Sequence, residues 1–283
     1  MKVCMFPGQG SQRTGMGKHL FDKYPEYVRI ADEILGYSVE ELCLNPQKEH
    51  YLNRTEYTQP ALYMVNALSY MDFLESNDLP EYIIGHSLGE YNALLAAGII
   101  DYETGLYLVQ KRGELMGKVR GGGMLAVLNM PLSSIREILR NNNLTQIDIA
   151  NINSKTEIII SGPEYELTRS ANVFEKLGAY IVKLNVSGPF HSRYMKVILE
   201  EYKKVLETIS FVEGNIPVVS NCNVNKYTKY NTLENLLLQI INPVQWVDEI
   251  EYLKMKGCNT FIQVGPGRVL NKLCNNILNS SLQ

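Results

Sequence analysis

One serine in this sequence has the surroundings of an enzyme nucleophile. Gly85-His86-Ser87-Leu88-Gly89 follows a short apolar run that predicts a strand over 82–85, and it precedes an Ala- and Leu-rich stretch that predicts a helix ending at Ala97. In such a strand-to-helix turn the serine hydroxyl projects outward, and the flanking glycines remove Cβ atoms that would clash. The amino terminus of the helix offers unpaired N–H groups to a developing oxyanion. The pattern therefore predicts a nucleophilic Ser87, with a purely structural turn as the alternative.

A nucleophilic serine needs a general base, and the sequence contains four histidines. His86 adjoins the serine, which points its side chain away from the hydroxyl. His19 falls in an early amphipathic helix, and His50 falls in a polar loop. His191 follows Gly188-Pro189-Phe190 at the end of a predicted strand, where a loop can bring it to the cleft. His191 is therefore the best candidate for the base, and the alternative is a capping or surface histidine.

An arginine lies on the apolar face of a predicted helix. In the helix over 101–116, a rotation of about 100° per residue places Arg112 in the apolar arc, which also holds Leu108, Val109 and Met116. Removing a guanidinium from water without an anionic partner costs several kcal/mol. Two hypotheses remain open on this pattern: an internal salt bridge to Asp or Glu, and a fork that binds a substrate carboxylate.

A glycine-rich turn follows the first predicted strand, at Gly8-Gln9-Gly10-Ser11-Gln12. It is not a dinucleotide-binding fingerprint, because Arg13 occupies the position of the third glycine. It is not a P-loop either, because Gln12 stands where the glycine that accompanies Gly17-Lys18 would be needed. A backbone turn that supplies a second oxyanion donor fits the nucleophilic serine better.

The elements that must position these residues predict an α/β protein. Apolar residues make up 45% of the 283 residues and charged residues 20%, which excludes wholesale disorder. Short strand-like runs alternate with helical stretches almost throughout the chain. Outside the middle of the chain, strands are predicted over 2–6, 82–85, 216–220 and 260–264, and helices over 17–24, from Pro60 onward, over 233–241 and 246–256, and after Gly267.

The middle of the chain has a different pattern. Residues 124–186 predict the order β-α-β-β-α-β, which is the ferredoxin-like unit. Gly121-Gly122-Gly123 before this unit and Ser187-Gly188-Pro189 after it are suitable hinges. We therefore predict a large α/β subdomain formed by 1–122 and 190–283, with a small ferredoxin-like subdomain, 123–189, inserted into it.

Composition excludes several other classes. The net charge of −3 and the absence of a Lys/Arg cluster argue against nucleic-acid binding. The longest apolar run, 93–100, falls short of the roughly 20 residues that cross a bilayer, and Pro7 interrupts any signal-peptide run. The five cysteines are an odd number without two-residue spacing, so we expect reduced, mostly buried thiols and no metal site. A cytoplasmic protein is expected.

Short motifs stand in a fixed order along nearly the whole chain. They are FPGQGSQ at 6–12, TQPAL at 58–62, GHSLGE at 85–90, KRG at 111–113, FHS at 190–192, NPVQW at 242–246 and VGPG at 264–267. Taken in this order, they resemble the motifs of the malonyl-CoA:acyl-carrier-protein transacylases. Within that family, 57–70 and Gly121-Gly122-Gly123-Met124 look most like the discrete trans-acting acyltransferases of polyketide synthases, although the fatty-acid enzyme shares the motifs. The chain also ends soon after its last motif, so no fused reductase is expected.

The resemblance implies a role for each candidate residue. Ser87 would be the acylated nucleophile, and His191 would be its general base. Gln9 and Leu88 would supply backbone N–H groups to the oxyanion hole. Arg112 would pair with the free carboxylate of the malonyl group, which is the anion that its burial demands.

Two further residues take their roles from the resemblance alone. Gln239, just before Asn242-Pro243, would orient His191 through its backbone carbonyl in place of a triad acid. Phe190 resembles the malonyl-selective form of its motif rather than the methylmalonyl form. The family's fold has an α/β-hydrolase-like core and a ferredoxin-like insert, which agrees with the elements above. The resemblance also implies malonyl-CoA as substrate, an acyl carrier protein bearing phosphopantetheine as partner, no cofactor or metal of the chain's own, and a monomer.

The expected activity is ping-pong malonyl transfer by an [acyl-carrier-protein] S-malonyltransferase through a malonyl-serine. One competitor is an acyl-thioester hydrolase that passes the acyl group to water with the same Ser87 and His191. Arg112 discriminates between them, because a hydrolase of uncharged acyl chains has no use for a buried cation. A second competitor is a carrier-protein docking module with a degenerate site, which predicts that the nucleophile, the base or the arginine is missing. All three are present.

Overall fold

A computed structural model describes residues 1–280, in which the strands form two separate sheets. The first sheet is parallel and contains β1 (Lys2–Phe6), β2 (Tyr82–Gly85) and β7 (Thr260–Gln263) in the order β2-β1-β7. Phe6 pairs with Gly85 in the register of β1 and β2, so both strands end at the same level. The loops that follow them, 7–12 and 86–88, therefore leave the sheet side by side. This edge is where ligands bind in open parallel sheets.

The second sheet is antiparallel and lies between β2 and β7 in the sequence. It contains β3 (Gly122–Leu128), β4 (Asp148–Ser154), β5 (Glu157–Pro163) and β6 (Tyr180–Lys183) in the order β4-β5-β3-β6. With helices α8 (Leu132–Asn141) and α9 (Glu164–Lys176), this is the strand order of a ferredoxin-like unit. The predicted α/β class and its ferredoxin-like portion are confirmed. The boundaries drawn after residues 122 and 189 stay a prediction.

Helices make up most of the remaining structure and surround the parallel sheet. The small unit packs its own apolar side chains between its sheet and its helices, in a cluster that includes Ile135 and Phe174. The other helices are α1 (Lys18–Lys23), α2 (Pro25–Leu35), α3 (Val39–Leu44), α4 (Glu49–Leu52), α5 (Thr55–Leu74), α6 (Gly89–Ala96), α7 (Tyr102–Lys118), α10 (Leu199–Leu206), α11 (Thr232–Ile241), α12 (Trp246–Met255) and α13 (Val269–Ser280), with 3₁₀ turns at Pro46–Lys48 and Arg193–Ile198.

Helix α5 begins earlier than the sequence predicts. Thr55 is its first residue, so Pro60 lies inside the helix and not at its start. The side chain of Thr58 donates hydrogen bonds to the backbone oxygens of Leu52 (2.6 Å) and Arg54 (2.9 Å), which stabilises the first turn. A proline removes only one N–H, and the contacts of a buried helix compensate for that loss. Most of α5 is buried, because it packs inside the larger of the apolar cores.

The strand predicted over 216–220 is wrong. This segment makes only two isolated bridges, a parallel one between Val218 and Ile83 of β2 and an antiparallel one between Val219 and Lys226. Pro217 accepts a hydrogen bond from the N–H of Ile83 (3.0 Å) but has no N–H of its own to donate, which limits the ladder. The segment still runs alongside β2 and ends beside the serine turn.

The cysteines and the lengths of the helices complete the description of the fold. Cys4, Cys43, Cys258 and Cys274 are buried, Cys222 is half-buried, and all five are free thiols. Within residues 1–280, the helices are too short or too polar to cross a membrane.

Candidate active site

Ser87 lies in the tight turn between β2 and α6. Its φ of 51° is in the left-handed region, which non-glycine residues seldom adopt and which costs of the order of 1–3 kcal/mol. The turn also requires close backbone packing. A Cβ on Gly85 would collide with the backbone of Gly89, and a Cβ on Gly89 would collide with the carbonyl of Phe6. The glycines of the motif are therefore a steric requirement of the turn that presents the serine.

Replacing Gly85 with alanine will test that requirement. The added methyl must displace the backbone at Gly89, so we expect the melting temperature to fall by about 5 °C or more. We also expect slower labelling of Ser87 by an alkyl fluorophosphonate. The matched control is Gly123→Ala, where the nearest atom to a new Cβ, Glu164 Oε2, is 3.4 Å away. Equal effects of the two substitutions would contradict this account of the turn.

His191 is the histidine that reaches the serine. Its Nε2 lies 2.7 Å from Ser87 Oγ, and its Nδ1 lies 2.8 Å from the backbone oxygen of Gln239. A carbonyl oxygen only accepts hydrogen bonds, so Nδ1 carries the proton and Nε2 is left to accept from the serine hydroxyl. His191 itself has a φ of 53°, so both residues of the pair have left-handed backbone conformations.

The imidazole of His191 is neutral in this environment. It is 3% exposed, and burial lowers its pKa to about 3, with a further contribution from the positive charge of Arg112. A neutral imidazole is the form that can take a proton from the serine. Within residues 1–280, the other histidines make no hydrogen bond to the serine hydroxyl: His86 lines the same cavity but is bonded to Asn153 Oδ1 on β4 (2.9 Å), while His19 and His50 are exposed.

Arg112 projects from α7 to the same hydroxyl. It is 2% exposed, and its Nη2 lies 3.1 Å from Ser87 Oγ and 2.9 Å from Gln239 Oε1. Its Nη1 donates to Gln59 Oε1 at 2.7 Å, and its buried Nε has no partner. Among residues 1–280 no carboxylate forms a salt bridge with it, so the internal salt bridge left open by the sequence is not formed.

The backbone N–H groups of Gln9 and Leu88 lie at the edge of the same cleft. In the part of the chain that the structure describes, neither group donates a hydrogen bond to another atom. Gly8 permits their approach, because a Cβ at this position would collide with the carbonyl of His86. Unpaired backbone donors on two residues that line the same cavity as Ser87 are the kind of groups that an oxyanion hole requires.

Sequence comparison assigns the chain to a family over nearly its whole length. A family model described as acyl transferase domain matches residues 3–281. The chain belongs to the acyl transferase domain family. The match includes both sheets and every residue of the site described above.

Several known proteins align with this acyltransferase over nearly the full length of both sequences. The polyketide biosynthesis malonyl CoA-acyl carrier protein transacylase PksC of Bacillus subtilis is 47% identical over 281 residues, which are 98% of this chain and 97% of the relative. A crystal structure of malonyl CoA-acyl carrier protein transacylase from Burkholderia pseudomallei has a TM-score of 0.95 and 40% identity, covering 99% of this chain and 98% of that one. A malonyl-transacylase in complex with a type II PKS acyl-carrier protein has a TM-score of 0.93 and 33% identity, covering 98% and 93%. These matches confirm the family and the fold class that the sequence predicted.

The acyltransferase has a cavity of about 230 Å³ above Ser87. Both sheets contribute to its walls, and the carboxyl-terminal helix α13 closes one side with Leu270 and Leu273. Phe190 is 4% exposed and faces the cavity beside His191. The walls are mostly apolar, and among the polar lining residues His191 and Arg112 bond to the hydroxyl of Ser87. The lining includes Gln9, Ser87, Leu88, Arg112, Met116, Met124, Phe190 and His191.

Some residues of the acyltransferase site escaped the sequence analysis. The side chain of Gln239 accepts from Arg112 and donates to Glu90, although only its backbone was assigned a role. Burial raises the pKa of Glu90 to about 7, despite hydrogen bonds from neighbouring donors. Asn221, which follows the segment wrongly predicted as a strand, accepts a hydrogen bond from the N–H of Ser87 at 2.7 Å. Its place at the end of an apolar run beside a parallel strand was the available signal.

Proposed function

We propose that this acyltransferase is an [acyl-carrier-protein] S-malonyltransferase. It moves a malonyl group from malonyl-CoA to the phosphopantetheine thiol of an acyl carrier protein, through a malonyl-serine at Ser87. The observation that carries the proposal is that the side-chain oxygen of Ser87 contacts both a general base and a buried cation. Ser87 Oγ lies 2.7 Å from His191 Nε2, which can accept its proton, and 3.1 Å from Arg112 Nη2, a buried cation without a carboxylate partner.

The first half of the reaction forms the malonyl-serine. His191 Nε2 accepts the hydroxyl proton while Ser87 Oγ attacks the thioester carbonyl of malonyl-CoA. The N–H groups of Gln9 and Leu88 donate hydrogen bonds to the oxyanion of the tetrahedral intermediate. The C–S bond then breaks, and the CoA sulfur leaves with the proton returned by His191.

The second half transfers the malonyl group to the carrier protein. The phosphopantetheine thiol gives its proton to His191 Nε2, and its sulfur attacks the carbonyl of the malonyl ester. The new tetrahedral intermediate forms in the same oxyanion hole. It collapses with cleavage of the C–O bond, and Ser87 Oγ recovers the proton from His191. Nδ1 of His191 stays bonded to the Gln239 carbonyl in both halves, which stabilises the imidazolium at each step.

Arg112 provides the preference for a malonyl group. Gln59 and Gln239 hold its guanidinium through neutral amide oxygens, which orient the group without neutralising its charge. The carboxylate of a bound malonyl group accepts from Nη2 and from the unpartnered Nε, in the bidentate manner that arginine favours. An acetyl group offers no such partner.

Partner, compartment and oligomeric state follow from the same proposal. Similarity to the Bacillus subtilis polyketide transacylase and to the transacylase in complex with a carrier protein supports a carrier protein of polyketide assembly as the acceptor. The chemistry needs no metal or cofactor of the chain's own, since the thiol belongs to the partner. Five free cysteines suit the reducing cytoplasm, where we place the enzyme as a monomer.

Phe190 restricts the substrate to an unbranched malonyl group. Phe190→Ser opens space beside His191, so we expect the preference for malonyl-CoA over methylmalonyl-CoA in kcat/KM to fall about tenfold or more. Phe190→Leu retains an apolar side chain there and is the matched control. Steady-state transfer to a holo carrier protein measures both ratios. An unchanged ratio in Phe190→Ser would remove Phe190 from the selectivity of the site.

Intact mass spectrometry after brief incubation with malonyl-CoA tests the proposed function. We expect a malonyl adduct on the native protein, none on Ser87→Ala, and rapid discharge by a holo carrier protein. Loss of the adduct to water at the same rate with and without the carrier would identify a hydrolase instead. No adduct with malonyl-CoA, together with one from acetyl-CoA, would overturn the role of Arg112. Discharge by a fatty-acid carrier protein but not by a polyketide one would move the enzyme to fatty-acid synthesis.

A further inference from the structure

Asn221 ties together the two sides of the serine turn. Its Oδ1 accepts a hydrogen bond from the backbone N–H of Ser87 at 2.7 Å, and its Nδ2 donates to the backbone oxygen of Gly85 at 2.6 Å. The side chain is fully buried. The amide therefore joins the last residue of β2 to the residue with the left-handed backbone, and it satisfies one polar group on each side of the strained position.

Two buried acids bond to Asn221, and one of them, Glu249, fixes the orientation of its side-chain amide. Glu249 on α12 accepts from Asn221 Nδ2 at 3.0 Å, so the nitrogen of the amide has two acceptors and the oxygen faces Ser87. Glu90 on α6 accepts from the backbone N–H of Asn221 at 2.9 Å. Exchanging the oxygen and nitrogen of the amide would set its donor against the N–H of Ser87 and its acceptor against Glu249.

Glu90 also connects this amide to the rest of the site. It accepts from Tyr227 Oη at 2.8 Å and from Gln239 Nε2. The same Gln239 nitrogen donates to the backbone oxygen of Ser87 at 2.9 Å. The two polar backbone groups of Ser87 are therefore both held by side-chain amides, Asn221 on its N–H and Gln239 on its carbonyl. Glu90 links these two residues, through the backbone N–H of Asn221 and the side-chain amide of Gln239.

We infer that Asn221 is a positioning residue that holds Ser87 in its reactive backbone conformation, and that Glu249 fixes the orientation of its amide. The inference rests on the proposed role of Ser87 as the nucleophile. Asn221 does not itself line the cavity or bond to Arg112, and its only contact with the lining described here is the bond to the backbone of Ser87, so we expect its loss to act on the attack by Ser87 and not on the binding of malonyl-CoA.

The first test is Asn221→Leu, which has similar bulk and removes every side-chain hydrogen bond. Misplacing a reacting atom by about 1 Å costs about 10²-fold in rate, so we expect kcat for malonyl transfer to fall about 100-fold while KM for malonyl-CoA changes less than about threefold. Labelling of Ser87 by an alkyl fluorophosphonate will slow in parallel. That probe needs neither CoA nor a carrier protein. Slow labelling of this variant against fast labelling of the wild type therefore supports the inference even if malonyl transfer itself is not observed.

The matched control is Asn235→Ala. Asn235 is a buried asparagine of α11. Its Oδ1 accepts a hydrogen bond from Nδ2 of Asn223 at 2.9 Å, and Asn223 lies in the same loop as Asn221. Its substitution disturbs that loop without removing a bond to Ser87. We expect a lower melting temperature with labelling within about twofold of the wild type, since the loss of one hydrogen bond acts on stability alone. Equal slowing of labelling in Asn235→Ala and Asn221→Leu would overturn the inference.

A double-mutant cycle keeps the inference testable if Asn221→Leu does not fold. Asn221→Asp is isosteric and keeps the acceptor for the N–H of Ser87, but its second oxygen faces two acceptors, Gly85 O and Glu249. In Asn221→Asp/Glu249→Gln the new amide can donate to that oxygen, so we expect labelling to recover at least about tenfold over Asn221→Asp. Glu249→Gln alone is expected to leave labelling within about threefold of the wild type, because burial raises the pKa of Glu249 well above its usual range and the substitution exchanges one neutral acceptor for another. Wild-type labelling by Asn221→Asp, or no recovery in the double variant, would overturn the assignment.

Discussion

Replacing His191 with alanine will slow malonylation of Ser87 by about 10²–10⁴-fold, which is the usual contribution of a general base. Within residues 1–280, no second proton acceptor is bonded to the serine hydroxyl. The other groups bonded to Ser87 Oγ are the donors of Arg112, which cannot accept a proton. Rapid-quench measurement of the acyl-enzyme gives the rate directly. His19→Ala removes an exposed histidine of α1 and is expected to leave the rate unchanged. A loss of less than tenfold in His191→Ala would contradict the assignment of the base.

The wild-type rate will also have an unusual pH dependence. Burial and the charge of Arg112 lower the pKa of His191 to about 3, so the base stays neutral as the pH falls through the ordinary histidine value of about 6.5. Acylation should therefore remain level between about pH 8 and pH 5, where an ordinary histidine would already have lost most of its basic form. An acidic limb near pH 6.5 in the wild type would contradict this environment for His191.

Arg112→Ala will lower malonyl transfer by about 10²–10³-fold and acetyl transfer much less, because only the malonyl group has a carboxylate to pair with the guanidinium. The ratio of kcat/KM for malonyl-CoA and acetyl-CoA measures this directly. Lys111→Ala is the matched control, since Lys111 is the adjacent residue of α7 and pairs with Glu114 near the surface. Equal losses of malonyl transfer and acetyl transfer would contradict the hypothesis that Arg112 binds the malonyl carboxylate.

Arg112→Ala will change the pH profile as well. The charge of Arg112 lowers the pKa of His191, so its removal raises that pKa, and the acidic limb of acetyl transfer should move toward neutral pH. A profile that does not move would show that burial alone sets the state of His191.

The sequence predicted those parts of the site whose chemistry depends on side-chain type and local pattern. The turn around Ser87 carries a steric signature in its glycines, and the burial of Arg112 follows from helical periodicity. The orientation of His191 by Gln239 depends on a backbone carbonyl, which every residue has, so only the family resemblance indicated it. Asn221 could not be assigned because its role depends on the register of a loop beside β2.

The errors in predicting secondary structure also arise from tertiary contacts that local sequence patterns do not report. Pro60 is a good first-turn residue by local preference, but the packing of α5 extends the helix on its amino-terminal side. The apolar run at 216–220 has the composition of a strand, but Pro217 limits its pairing to isolated bridges. The hydrophobic pattern predicts which residues are buried. Their hydrogen-bond partners depend on tertiary contacts far apart in the sequence.

The burial of Arg112 lowers the thermodynamic stability of the protein, while its proposed role is substrate discrimination. A guanidinium held by two glutamine amides, without a carboxylate beside it, lowers the free energy of unfolding of the empty protein relative to an apolar side chain of the same volume. A bound malonyl group places a carboxylate beside Arg112, so binding raises the free energy of unfolding of the complex above that of the free protein. Selection for stability alone would replace this arginine. Under the role proposed for Arg112, the chain retains a residue that lowers its stability because that residue distinguishes one small acyl group from another.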